Sequence, residues 1–352
     1  MELQIQKYLR DISVSFEDKL AYLRDTLNMN IKVQDNKILL NYRIDSPKDH
    51  PFTNECRGLI LDTTNFDIVC FPFTRFYNHG EGYAVKIDWE TASVQEKIDG
   101  SLLNMYFDWP FSKTWKVSTR NMMYAEGPIF ENRLMGTATK TFAELFWSIY
   151  NDRNDRLHII KYEIENPQRI TFIFEMVSRE TKVVKEYKNS DLYLLSMRDN
   201  LQGSEFSLSH LDKTAELFNF NRPKTYPLVS KNLEQVIELI NNLQPDDEGY
   251  VVVDKNFNRI KVKNPAYFAI AALKSNGNPL TNLISFVIKG ERDEILSYFP
   301  EFAEQYDRVN GIYQDLLINT QELYLMNKDN PSQKEFALAI VNKTPLSSLL
   351  FS

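Results

Sequence analysis

Glu96-Lys97-Ile98-Asp99-Gly100-Ser101 lies between two stretches that read as strands. Glycine at such a turn lets the backbone approach a ligand closely, and a lysine ending the strand before it projects into a pocket. The same hexapeptide also suits an ordinary hairpin turn with Lys97 and Asp99 in solvent, so its company decides. Seventy-eight residues after Lys97, Glu175 sits among apolar neighbours in Phe172–Met176. A carboxylate buried there is costly unless hydrogen-bonded, and a ribose hydroxyl is a fitting donor. Asp247-Glu248-Gly249 leads into another strand, and thirteen residues past Glu248 comes Lys261-Val262-Lys263. Period-two spacing puts both ammonium groups on one strand face. Like charges placed so repel by roughly 0.2–1 kcal/mol, and a strand aiming them inward needs an anion, for which a nucleoside triphosphate is the natural candidate. A lysine nucleophile must first lose its proton, against an ordinary pKa near 10.4. Burial, the cations Lys261 and Lys263 and a bound metal favour that loss, while Asp99 and Glu248 oppose it.

The elements that must position these residues are mostly strands. Val, Ile, Phe and Tyr enrichment predicts them at Lys37–Ile44, Gly58–Leu61, Ile68–Phe73, Ser93–Glu96, Leu102–Phe107, Trp115–Ser118, Thr171–Met176, Leu192–Met197, Tyr250–Val253 and Arg259–Val262. Helical periodicity predicts an opening amphipathic helix or helix pair over Ile5–Leu27, and helices at Thr139–Asn151 and Leu233–Leu243. After Lys263 the character changes: Tyr267–Leu273, Leu280–Ile288, Asp293–Phe299, Phe302–Leu325 and Gln333–Val341 all favour helix. The expectation is an α+β domain of antiparallel sheets with flanking helices over residues 1–263, then a small all-helical domain over residues 264–352. No internal repeat and no low-complexity linker separates them.

Of 352 residues, 41 are Lys or Arg and 48 are Asp or Glu, a net charge of −7 that excludes a surface basic all over. Any nucleic-acid contact is therefore local, with Lys113, Lys116 and Arg120, then Arg179, Lys182 and Lys185, then Lys255, Arg259, Lys261 and Lys263 as basic clusters; a solvated strand face is the bland alternative for the first two. Cys56 and Cys70 read as buried reduced thiols, and the four scattered histidines give no zinc spacing, so a metal would be oxygen-bound magnesium or manganese. Apolar stretches fall short of a membrane span and no secretory signal is legible, so a cytoplasmic location is expected.

Taken together, the residues resemble the covalent nucleotidyltransferases, the superfamily of ATP-dependent ligases and mRNA-capping enzymes. Lys97 through Ser101 is similar to their nucleophile motif, Glu175 to the third motif, Glu248-Gly249 to the fourth and Lys261 through Lys263 to the fifth, in the same order and at similar separations. Glu55-Cys56-Arg57-Gly58 and Arg75-Phe76-Tyr77-Asn78 with Glu81 resemble, more narrowly, the phage-type RNA ligase 1 group. The segment Lys182-Val183-Val184 with Tyr187, and Leu192–Asp199, resemble it too. The resemblance runs from Tyr42 to Lys263. It implies a nucleotidyltransferase, ATP-grasp-like ligase fold, ATP as cofactor with magnesium or manganese, and RNA ends bearing a 5′-phosphate and a 3′-hydroxyl as partners. Catalytic roles fall to Lys97, Asp99, Glu248, Lys261 and Lys263. ATP contacts fall to Arg57, Arg75, Glu96, Lys97, Gly100, Glu175, Glu248, Lys261, Lys263 and Tyr267, with Arg57 and Arg75 on the outer phosphates, Glu96 offering backbone groups to adenine, and a packed core tyrosine as the alternative for Tyr267. Metal contacts are expected of Glu248 and, through water, of Asp293 and Glu294, which also suit a helix N-terminus. RNA contacts are expected of Arg120, Arg179 and Lys182.

Arg75 and Arg120 stand where the group often carries lysine, which keeps the charge but changes its geometry to a planar fork. A DNA ligase or GTP-using capping enzyme, the nearer alternatives, would carry an OB-fold after the fifth motif and read as five short strands, whereas this tail reads as helices. A nucleotide or RNA-end binding module without chemistry is the more distant alternative. The resemblance favours RNA repair on single-stranded or hairpin-loop ends, since no long basic surface for duplex wrapping is apparent.

Overall fold

Met29–Gln34 alternates apolar and polar residues and pairs, as β1, with β2 (Lys37–Tyr42) through a turn at Asp35 and Asn36, both at positive φ as a tight hairpin requires. This first strand was not among those expected. With β3 (Arg57–Asp62) and β4 (Ile68–Cys70) it forms an antiparallel sheet ordered β1-β2-β3-β4. The opening helix pair is present as α1 (Gln4–Arg10) and α2 (Phe16–Ala21), whose Ile5, Leu9 and Leu20 pack on that sheet. The short α3 (Pro51–Glu55) precedes β3, and the Glu55 carboxylate accepts the N–H groups of Gln4 and Ile5 at 3.0 Å each. Glu55 thus caps the first turn of α1.

The strand expected over Ile68–Phe73 stops at Cys70, because Pro72 has no N–H to give a ladder. Beyond it lie β5 (Tyr77–Asn78), β6 (Ser93–Glu96), β7 (Ser101–Phe107), β8 (Trp115–Ser118), β9 (Pro128–Phe130) and β10 (Ala138–Thr141). The helix expected from Thr139 begins later, as α4 (Phe142–Asp152): Thr141 accepts the Glu144 N–H and Glu144 accepts the Thr141 N–H, a capping box that fixes the start. Then come β11 (Ile170–Val177), β12 (Asp191–Asp199), α5 (Leu208–Phe218), β13 (Thr225–Tyr226), α6 (Leu233–Ile240), β14 (Gly249–Val253) and β15 (Arg259–Lys263). Strands β9 and β10 pair with each other, and the rest form two further sheets. One, ordered β12-β11-β7-β8, is antiparallel and buries Phe172, Phe174, Met176 and Leu103 against α4 and α5. The other, ordered β13-β6-β14-β15-β5, packs Val94, Tyr250, Val252, Ile260 and Val262 against α6. Its β15–β5 pair is parallel and the others are antiparallel.

These features come from a computed structural model, which describes residues 2–130, 138–152, 166–181, 184–267, 283–284, 286–288, 290, 292–298, 300–330, 332–340 and 343. The chain divides into two compact units, Met1–Ile270 and Ala271–Ser352. Within the second, α7 (Arg292–Tyr298), α8 (Ala303–Asn327) and α9 (Gln333–Ile340) agree with the helices expected there. The expected helix at Tyr267–Leu273 lies outside the described residues beyond Tyr267, as does part of Leu280–Ile288. No described helix is long and apolar enough to cross a membrane.

Candidate active site

Lys97 follows β6 directly and its N–H donates to the Gly249 carbonyl at 2.9 Å, so the nucleophile candidate is tied to the start of β14. Gly249 has φ +131, and a Cβ there would lie 2.3 Å from the Val262 carbonyl oxygen; only glycine permits this approach of β14 to β15. The residue before it, Glu248, therefore sits beside Lys97, Nζ to Oε2 at 2.6 Å, while its Oε1 lies 3.8 Å from the Lys263 Nζ. Burial pushes the Glu248 carboxyl up, but Lys97 and Lys263 reverse the effect and hold it below the ordinary carboxylate range. Lys97 is thus held as half of an ion pair with Glu248.

Gly100 starts the turn into β7 with no room for a side chain: a Cβ would lie 2.4 Å from the Met176 carbonyl oxygen and 3.1 Å from Glu175 Cγ. The Asp99 carboxylate is spent on structure. One oxygen accepts the N–H groups of Val184 and Lys185 at 2.9 and 2.8 Å, the other accepts the Tyr267 hydroxyl at 2.9 Å, and the Asp99 N–H donates to the Tyr187 hydroxyl at 3.2 Å. Asp99 thereby clamps the nucleophile turn to residues 184–187 and to Tyr267, and Tyr267 is buried in that clamp. Lys185 adds a side-chain ion pair to Asp247 and a longer one, 3.5 Å, to Glu96. The Glu96 N–H is used by the Lys224 carbonyl, so it is not open to a base.

Glu175, opposite Leu102 on β11, has its carboxyl pushed by burial up to about 8; Lys97 opposes this and Glu248 adds to it. A carboxyl raised in this way keeps its proton to higher pH and, while it holds it, donates as well as accepts.

A second group gathers around Tyr42 at the end of β2. The guanidinium of Arg75 lies 4.1 Å and that of Arg120 4.7 Å from the Tyr42 ring centre, while Arg57 and Lys261 approach Phe76 at 5.9 and 5.1 Å. Burial pushes the Tyr42 phenol up, but Arg57, Arg120, Lys261 and Arg75 together pull it below the ordinary tyrosine value. Nη1 of Arg57 and Nη1 of Arg75 are buried with no hydrogen-bond partner. Buried charged donors left so are costly, and an anion would satisfy them. Gly58, at φ +86, lets β3 pass the Arg120 backbone, where a Cβ would meet Arg120 Cα at 2.9 Å. Tyr42 was not anticipated as part of the site, although its place five strand residues after Lys37 and the expected cations around it offered a signal.

Of the remaining expected residues, Arg179 is exposed on the turn after β11 and Lys182 lies outside the described residues. Asp293, exposed on α7, and Glu294, whose side chain is outside the described residues, belong to the second unit. Arg292 beside them pairs with Asp307 at 2.8 Å.

The fold that carries this lysine, glutamate and lysine constellation is that of the nucleotidyltransferase ligases. An archaeal ATP-dependent RNA ligase superposes with a TM-score of 0.53 at 12% identity, covering 88% of this chain and 79% of that one. A family model described as RNA ligase matches residues 55–267, more than half of the 352 residues, and the chain belongs to that family. An RNA ligase of Rhodothermus phage RM378 is 22% identical over 86% of this chain and 82% of its own length. A candidate bifunctional polynucleotide kinase/RNA ligase of Autographa californica nuclear polyhedrosis virus is 29% identical over 79% of this chain, and the match spans 40% of the viral protein's length.

Proposed function

We propose that the chain is an ATP-dependent RNA ligase of the cytoplasm, in which residues 1–263 carry the covalent chemistry and residues 264–352 form a helical domain. The Lys97 amine attacks the α-phosphorus of ATP; an N–P bond forms as the bond to the pyrophosphate oxygen breaks. What carries the reading is the sharing of Glu248 by Lys97 and Lys263, together with the unpartnered guanidinium nitrogens of Arg57 and Arg75 in the neighbouring cation cage. Arg57, over Phe76, and Arg75, over Tyr42, hold the departing pyrophosphate, and Lys261 and Lys263 stabilise charge on the α-phosphate oxygens. Glu175, protonated near neutral pH, both donates to and accepts from the ribose hydroxyls. Among the described residues no three His, Cys, Asp or Glu side chains converge as a metal cage. Glu248 would lend a protein oxygen to a hard divalent cation that keeps most of its water once its pairs with Lys97 and Lys263 loosen. Such a cation, magnesium or manganese, would supply positive charge that offsets the triphosphate.

AMP then passes from Lys97 to the 5′-phosphate of an RNA end. A 3′-hydroxyl attacks that activated phosphate, and AMP leaves. Arg120 and Arg179 are the proposed RNA contacts of the first unit, and single-stranded or hairpin-loop ends are the preferred substrates. Incubation with ATP and magnesium is expected to add one AMP by intact mass, and single-stranded RNA with a 5′-phosphate and a 3′-hydroxyl is expected to be sealed. A protein that gains no AMP, or that seals a nicked DNA duplex better than RNA, contradicts the reading.

A further inference from the structure

Residues 71–76, which carry Arg75 to the cation cage, lie outside every strand. Their backbone is held by three foreign groups: the Thr171 hydroxyl accepts the Phe71 N–H at 2.9 Å, Arg198 Nη1 donates to the Pro72 carbonyl at 3.0 Å, and the Asn54 carbonyl accepts the Arg75 N–H at 2.8 Å. A segment without ladder bonds takes its position from such contacts.

The Arg198 contact belongs to a buried charge cluster. Glu205 accepts two bonds from Arg259, at 2.7 and 2.6 Å, one from Arg198 at 3.1 Å and one from the Ser196 hydroxyl at 2.7 Å. The three charged side chains are only 8%, 2% and 9% exposed for Arg198, Glu205 and Arg259. Burial would push the Glu205 carboxyl up, and the two guanidiniums more than reverse it. The guanidiniums also cover the segment itself, Arg198 over Phe71 at 4.0 Å and Arg259 over Phe73 at 4.7 Å.

Arg259 begins β15, and strand alternation places it on the same face as Lys261 and Lys263. That row of three cations is pinned at one end by Glu205 on Arg259 and at the other by Glu248 on Lys263. Lys261 lies between them over Phe76, the residue next to Arg75.

Building on the ligase reading above, we propose that Glu205 is a positioning residue for the triphosphate grip: through Arg198 and Arg259 it fixes the Arg75 segment and the β15 cation row relative to each other. Glu205 itself touches no reacting atom. A purely structural cluster would behave differently, since a buried ion triad exchanged for apolar side chains of similar volume often leaves stability unchanged or raised.

The test compares two reactions of the full chain in two variants: Arg198→Met with Glu205→Leu and Arg259→Met combined, and Glu205→Gln. Lysyl-AMP formation is followed against ATP concentration by intact mass, and sealing of chemically preadenylylated RNA, which needs no triphosphate, is followed alongside thermal unfolding. The expected result is a folded triple variant whose KM for ATP rises about tenfold or more while sealing of preadenylylated RNA stays within about threefold of wild type. Should the triple variant not fold, Glu205→Gln supplies the same comparison with the same expected direction. Equal loss in both reactions, or no loss in either, in a folded variant overturns the proposal. A wild type that takes up no AMP sinks the ligase reading itself, whereas a wild type that takes it up and variants that match it sink only the role of Glu205.

Discussion

The nucleophile turn and the cation cage are two halves of one site with opposite bonding states. Around Lys97 nearly every carboxylate oxygen is occupied: Glu248 by two lysines, Asp99 by two backbone N–H groups and the Tyr267 hydroxyl. In the cage, Arg57 and Arg75 each keep a buried Nη1 with no hydrogen-bond partner, and four cations depress one phenol. The turn satisfies its own polar groups, whereas the cage leaves two buried donors that an anion would satisfy, as the proposed triphosphate grip requires. Pre-set donors of this kind act on charge as it leaves the reacting centre, without reorganisation at the moment of reaction.

The contrast is broken most severely from the cage side. Arg57→Ala combined with Arg75→Ala is expected to lower the rate of AMP uptake at limiting ATP by about a hundredfold while leaving the unfolding temperature near wild type. Each truncation loses a ring contact on Phe76 or Tyr42 but also removes a buried donor that has no partner, and the two effects offset in the fold. Equal loss of stability and rate would show that the two arginines belong to the scaffold. The turn should answer the other way. Asp99→Ala leaves three buried donors without an acceptor and is expected to cost about 3 kcal/mol in denaturant unfolding, with kcat falling more than the KM for ATP. An unchanged midpoint would remove Asp99 from its role as a clamp.

Glu175 allows a quieter test by pH. Its carboxyl stands at about 8 in the fold against 4.5 for the ordinary group. Below pH 4.5 both folded and unfolded chains are protonated there and nothing is lost. As pH rises to about 8 the unfolded chain releases the proton first, stability falls, and the full penalty, on the order of 5 kcal/mol, remains above it. Glu175→Gln is therefore expected to raise the unfolding temperature of the ATP-free protein at pH 9 and to change it little at pH 4. The smallest effect belongs to Tyr42. Its depressed phenol should ionise at a pH below the usual value near 10 and compete with the triphosphate for the cage. Weakening of ATP binding towards high pH, present in wild type and absent in Tyr42→Phe, is the expected signature; parallel pH profiles would contradict it.

The cage also marks where the sequence stops being legible. Glu175, Lys261 and Lys263 stand out because charge inside an apolar strand pattern is anomalous, and the structure brings Lys97, Glu248 and Lys263 together. Ser93–Glu96 and Trp115–Ser118 coincide with β6 and β8. Glu205 and Arg259, by contrast, are 54 residues apart, and nothing local distinguishes their buried pair from two solvated charges. Asp99 reads as chemistry from its motif, yet its partners lie 85 to 168 residues away and turn it into a clamp. Strand ends went astray where one residue overrode propensity, Pro72 in ending β4 and the Thr141–Glu144 box in delaying α4.

The most direct measurement is the position of the covalent adduct. After reaction with ATP and magnesium, digestion under alkaline conditions that preserve a phosphoramidate, followed by peptide mass spectrometry, should place AMP on the peptide that contains Lys97, and Lys97→Ala should carry none. AMP on any other residue, or an adduct that survives in Lys97→Ala, would contradict the assignment of that amine as the nucleophile.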